Sequence, residues 1–179
     1  MPPLAIPFLV RHITWMIIRP YTPADLPALY AINQAGTPGV GHEDSPEGLK
    51  RWFDVGTCLV AEDENGQPLG FINLIEPGTM AYASDNLRWF ERWMAEEQAS
   101  LRYVDRIAVA EAARGLRIGQ HLYEAAFELA KGRDWIGAEV NTDPDNPLSH
   151  KFHARMGFVR VGEKRYKPDY AVAYYARKP

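Results

Sequence analysis

Apolar positions recur along this chain in two different periods, and the switches between them mark its elements. A short apolar run at residues 16–19 reads as a strand. Thr22 followed by Pro23 then opens a helix, supplying a cap and a first-turn proline, and Leu26, Leu29, Tyr30 and Asn33 follow at helical spacing. Gly and Pro crowd residues 36–44, which therefore form a loop. Ser45-Pro46 repeats the cap-then-proline pattern ahead of Leu49, Trp52 and Phe53. Two apolar runs, 57–62 and 70–75, flank Asp63-Glu64-Asn65-Gly66 and predict a hairpin, because Asn-Gly suits the tight turn between antiparallel strands.

Residues 76–100 are a long insertion in which Asp85 caps a helix bearing Leu87, Phe90, Trp93 and Met94. Residues 102–109 alternate, which puts Tyr103, Asp105, Ile107 and Val109 on one face. A helical stripe of Ile118, Leu122, Ala125 and Leu129 comes next, then a strand over 135–141. A helix between two strands predicts a parallel crossover. Asn146-Pro147 opens a further helix that stops at Gly157, and 158–164 with 170–177 close the chain as an antiparallel pair. The predicted fold class is α+β, a mixed sheet of six to seven strands with helices on both faces. It makes one domain over residues 16–179. Residues 1–15, interrupted by Pro2, Pro3 and Pro7 and lacking a basic start, read as an N-terminal extension rather than a signal peptide.

Bulk properties narrow the function. The chain has 179 residues, 46% hydrophobic and 24% charged, which suits a single globular domain. A net charge of −3 with scattered Lys and Arg argues against a nucleic-acid partner. No stretch approaches the ~20 apolar residues of a membrane span, so no membrane partner is expected. Cys58 is the one cysteine, which excludes an internal disulfide and a thiolate-rich zinc site, and its apolar neighbours make it a buried strand residue. A cytoplasmic location is expected. His150 and His153 stand three apart near Asp143 and Asp145, but without a third placed ligand no metal is predicted.

The chemistry concentrates between residues 105 and 158. A strand ending at Val109 leads into Arg114-Gly115-Leu116-Arg117-Ile118-Gly119-Gln120 and then a helix. A Gly-bearing turn at a helix N-terminus presents unpaired N–H groups and the positive end of the dipole, which favours a phosphate or pyrophosphate. Read alone, the glycines serve turn geometry equally well. The later run Asn146-Pro147-Leu148-Ser149-His150-Lys151-Phe152-His153, ending in Gly157-Phe158, stands at the spacing that sharpens this reading. With the turn motif and the strand Tyr103 to Val109, it resembles the GNAT superfamily of acyl-CoA N-acyltransferases over about residues 16–177.

The resemblance implies a GNAT-like fold, acetyl-CoA as acyl donor, an amine of a small molecule or peptide as acceptor, direct transfer, no metal and a homodimer. It implies that two parallel strands part to admit the pantetheine arm along Ile107, Ala108 and Val109. It sets the pyrophosphate over Arg114 to Gln120, with Asn141, Asn146, Ser149 and Phe152 lining the cofactor channel. Two departures stand out. Arg117 occupies a slot that is usually Gly, and His153 stands where many relatives carry an acidic Tyr. They keep a second reading in view, a catalytically impaired acyl-CoA-binding regulatory module.

Transfer needs a neutral amine. At pH 7 that costs about 4.6 kcal/mol for a lysine-like amine and about 1.4 for an α-amine. Asp105 is the expected base, with Glu76 in reserve, and its bland alternative is an ion pair with Arg. His153 is the expected acid for the departing thiolate; its alternative is an ordinary helix histidine. In the insertion, Glu76, Tyr82, Asn86 and Trp89 are the expected acceptor contacts, with Trp89 and Trp93 on one helix face as a lid or as a docking surface.

Overall fold

The computed structural model describes residues 11–13 and 15–179. The seven predicted strands all form: β2 (Met16–Pro20), β3 (Thr57–Asp63), β4 (Pro68–Ile75), β5 (Leu101–Val109), β6 (Trp135–Asp143), β7 (Val159–Lys167) and β8 (Tyr170–Arg177). A short β1 (Arg11–Ile13) pairs with β2 and adds an eighth edge strand. The rest of the expected extension, residues 1–10 and 14, lies outside the described residues, apart from Trp15 in the turn.

The sheet runs β1-β2-β3-β4-β5-β6-β8-β7. Its one parallel neighbour pair is β5 with β6, joined by the predicted crossover; the other pairs are antiparallel.

Five α-helices cover the two faces: α1 (Leu26–Ala35), α2 (Pro46–Val55), α3 (Asp85–Glu97), α4 (Ile118–Leu129) and α5 (Pro147–Arg155). Their caps follow the sequence closely. The helix expected from Thr22 begins as a 3-10 turn over Pro23–Asp25, with Asp25 accepting from the Thr22 N–H at 2.8 Å. Ser45 Oγ accepts from the Gly48 N–H at 3.1 Å. Ser84, one residue ahead of the expected Asp85, caps α3 through the Leu87 N–H.

Alternation along the strands sorts the core. Leu59, Ala61, Ile72, Leu74, Ala138 and Val140 pack under α4 and α5 with Ile118 and Leu122. On the opposite face Val60, Phe71 and Ala108 pack under α1 and α2, and Ile75, Leu101, Tyr103, Val172 and Tyr174 pack under α3.

Candidate active site

Only three rungs join β5 to β6: Leu101, Arg102 and Tyr103 opposite Trp135, Ile136 and Gly137. Beyond them β5 stays with β4 as far as the Gly70–Val109 pair, and β6 stays with β8 as far as Asp143–Ala171. The strands part into a V, and the β6-facing edge of Asp105–Val109 is left without a strand partner among the described residues. A register shift opens it. Asn73 pairs with Arg106 and Leu74 with Val104, so Asp105 is the extra residue of a bulge, and a bulge bends its strand.

The bulge also changes which way side chains face. Asp105 and Arg106, although consecutive, both serve the face of α1, α2 and α3. Ile107 and Val109 pack on the α4 side. The expected single face carrying Tyr103, Asp105, Ile107 and Val109 is therefore corrected.

At the open end of the V the chain turns into α4. Gly115 (φ 85°) and Arg117 (φ 61°) are both left-handed. Arg117 carries that conformation at a cost of roughly 1–2 kcal/mol, since its Cβ crowds the following carbonyl. The N–H groups of Ile118, Gly119 and Gln120 belong to the first helical turn, which has no carbonyls behind it. Arg114, Gly115, Leu116 and Arg117 are exposed around them. A Cβ on Gly119 would stand 3.2 Å from Phe152 Cζ, so α5 presses directly on this turn. Among the expected cofactor residues, Asn146 and Asn141 are occupied by the fold. Asn146 Oδ1 caps α5 through the Ser149 N–H at 3.2 Å. Asn141 Nδ2 donates to Pro38 O at 3.0 Å, tying β6 to the loop after α1.

Asp105 is buried and fully engaged. Oδ1 accepts from Tyr82 Oη at 2.5 Å, and Oδ2 accepts from Asn73 Nδ2 at 3.0 Å and Arg106 Nε at 2.8 Å. Arg106 reaches on to Glu43 at 3.0 Å, and Glu43 accepts from Trp52 Nε1 at 2.7 Å. This clamp fixes the loop between α1 and α2 against β5. The expected base is thus held as a structural ion-pair partner, with its lone pairs committed.

His153 is corrected as an acid. It is buried among Tyr123, Phe152, Phe158 and Tyr175. Nδ1 lies 2.8 Å from Ser149 O, a group that only accepts, so Nδ1 carries the proton. Nε2 then accepts from Tyr123 Oη at 2.8 Å. Burial, the largest cause, lowers its pKa to about 4. The ring is neutral and both nitrogens are in use.

Two acceptor expectations also move. Glu76 pairs with Arg102 and Arg133. Because β4 runs antiparallel to β5, its end lies at the closed end of the V. Trp89 stacks on Tyr174 at 3.8 Å and 5°, so it docks α3 on the sheet instead of capping a ligand. Tyr82 and Asn86 meet the strands just past the last rung, where they begin to part, Tyr82 through Asp105 and Asn86 through Glu139.

Glu139 escaped sequence reading. It faces α3, two residues past the last rung. Oε1 accepts from Tyr103 Oη at 3.0 Å and Asn86 Nδ2 at 3.1 Å. Burial above all raises its carboxyl to about 8; the Tyr103 bond opposes this and the Asp105 charge adds to it. The available signal was a lone carboxylate inside Trp135-Ile136-Gly137-Ala138-Glu139-Val140. Among the described residues no cluster of three metal-ligating side chains forms. No helix among them is long and apolar enough to cross a membrane.

The sequence model of the acetyltransferase (GNAT) family matches residues 26–158. Solved structures share the fold. A ribosomal-protein-alanine N-acetyltransferase from Brucella melitensis is 24% identical, with 90% of this chain and 99% of that chain covered and a TM-score of 0.66. NAA60 of Arabidopsis thaliana, solved in complex with acetyl-CoA, is 15% identical, with 91% and 98% covered and a TM-score of 0.68. Ard1 from Thermoplasma volcanium is 19% identical, with 91% and 97% covered and a TM-score of 0.65.

Proposed function

The chain belongs to the acetyltransferase (GNAT) family, and on that premise we propose that it moves an acetyl group from acetyl-CoA directly to an amine of a small molecule or peptide. The observation that carries this reading is the V between β5 and β6 with a bare helix N-terminus at its open end. The N–H groups of Ile118, Gly119 and Gln120 fit a pyrophosphate, and Arg114 and Arg117 add positive charge beside them. The unpaired edge of Ile107–Val109 fits the amide-bearing pantetheine arm. Acetyl-CoA brings an activated thioester carbonyl to this slot.

The remaining work falls to the chain. Asp105 orients Tyr82 and, with Arg106, holds the loop after α1, so it is a positioning residue. Tyr82 and Asn86 wall the side from which the acceptor arrives. A cytoplasmic location and a homodimer complete the reading, the latter checked by sedimentation.

Calorimetric titration with CoA and acetyl-CoA tests the assignment. Gly119→Glu puts a carboxylate onto the N–H groups, and Gln120→Glu does so without crowding Phe152. Binding to the wild type that both folded variants weaken at least tenfold is expected. No binding to the wild type overturns the proposal. Release of CoA with a panel of primary amines then reports turnover.

A further inference from the structure

The loop between α1 and α2 reaches from one half of the parted sheet to the other, and its two attachments are unequal. On the side of β5 it is pinned at several points. Thr37 Oγ1 donates to Gln34 O at 2.8 Å. Buried Asn33 donates to Gly41 O at 2.9 Å and accepts from Arg106 Nη1 at 3.2 Å. Arg106 also pairs with Glu43 at 3.0 Å, so an ion pair holds the far end of the loop. On the side of β6 the loop has one hydrogen bond among the described residues, from Asn141 Nδ2 to Pro38 O at 3.0 Å. Gly39 rests beside it on Asn146, and Pro38 and Gly39 are exposed.

The position of that contact gives it meaning. The last rung joins Tyr103 to Gly137; four residues further along each strand stand Ile107 and Asn141, where the strands no longer pair. Ala138 and Val140 turn toward α4, so Asn141 turns toward the face of α1, α2 and α3. Pro38 therefore covers the parted strands on that face. The turn into α4 opens on the other face. A molecule that comes in past Tyr82 and Asn86 meets the loop, and one that comes in over the α4 turn does not.

A neutral, exposed hydrogen bond shifts an equilibrium by only about 2–10-fold. The loop thus lets go of β6 easily while its other attachments stay in place. We propose that residues 36–41 form a strap that closes the slot against the acceptor and opens by releasing Asn141, pivoting on its ends at Asn33 and Glu43. This deepens the acetyl-transfer reading and rests on it. Only molecules with the strap open are competent for the acceptor, so its apparent affinity is lowered by the open fraction, about 3–10-fold. The donor, entering over α4, carries no such penalty.

Two measurements test this, and the first needs neither donor nor acceptor. Gly39→Ala wedges the contact, because its Cβ would stand 2.9 Å from Asn146 Nδ2 and 3.1 Å from Gly36 O. The Asn146 amide is held by its cap to the Ser149 N–H, so the strap is what gives. Asn141→Leu removes the donor of the hydrogen bond. In the wild type, ¹⁵N relaxation dispersion should show one shared exchange process at the amides of Gly39, Val40 and Gly41 and at the Asn141 side chain, with Asn33 and Glu43 still. Both variants should move the strap resonances toward the open state. Flat dispersion, or exchange as large at Asn33 and Glu43, overturns the proposal. The second compares Gly39→Ala with wild type on the best substrate of the primary-amine panel. An acceptor KM lower by about 3–10-fold is expected, with kcat and CoA affinity within about twofold. An unchanged or higher KM, or a CoA affinity that moves as far as KM does, overturns the proposal. If the wild type binds no CoA, the acetyl-transfer reading fails and the dispersion measurement still decides whether the strap opens.

Discussion

Gly162→Ala isolates the contact that seats α3. A Cβ built on Gly162 stands 2.4 Å from Trp89 Cζ2 and 2.8 Å from Cη2, about 1 Å inside ordinary contact. The half-buried indole can retreat only by giving up its stack on Tyr174 at 3.8 Å and its edge contact with Phe90 at 5.3 Å. Overpacking of this kind costs ~1–3 kcal/mol. Replacing a strand glycine by alanine otherwise returns ~0.5–1 kcal/mol of chain entropy. With a full ångström of overlap against a ring held by two aromatic contacts, the balance is a loss of about 2 kcal/mol. For a chain of this size that lowers Tm by roughly 4–8 °C. Thermal melts of Gly162→Ala, Trp89→Leu and the double variant measure it. In the Trp89→Leu background the alanine should be neutral or mildly stabilising, giving a coupling of about 1–3 kcal/mol. A higher Tm for Gly162→Ala in the wild-type background would refute the packing argument.

Two further outcomes are expected. Arg106→Leu leaves Asp105 and Glu43 buried without their cation and should cost about 3–5 kcal/mol, read by urea denaturation; a loss under 1 kcal/mol would mean that the clamp does not hold the loop. Burial keeps His153 neutral down to about pH 4, whereas the unfolded chain protonates it near the ordinary histidine value of 6.5. The unfolded state thus binds more protons in that window, so stability falls as pH drops from about 6.5 to about 4, by up to about 3 kcal/mol at roughly 1.36 kcal/mol per unit. His153→Gln should flatten that part of the stability–pH curve, and an unchanged slope would count against the buried neutral ring.

Most of the fold was legible because local chemistry and long-range packing agree. Asn65-Gly66 predicted its hairpin, and Ser45-Pro46 and Asn146-Pro147 predicted helix starts that the structure bears out with side-chain caps. Arg117 was read in a slot that is usually Gly, and its backbone there is left-handed. What escaped was long-range. The bulge at Asp105 has no signal in a period-two pattern, yet it decides which face every later residue of β5 serves. Glu76 could not be sent to the closed end of the V until the antiparallel sense of β4 was known. His153 was chosen by its place in a motif, while its environment is set by Tyr123, thirty residues earlier on another helix. Glu139 looked like one polar residue in an apolar strand; only the packing of Tyr103 and Asn86 around it shows an oxygen left over.

The three-rung junction has a mechanical consequence. It divides the sheet into a five-stranded leaf and a three-stranded leaf, joined at one end and open at the other. One core cluster under α4 draws on both leaves, taking Ile72 and Leu74 from the first and Ala138 and Val140 from the second. The width of the slot is therefore set by side-chain packing under α4 rather than by rungs of main-chain hydrogen bonds between the leaves.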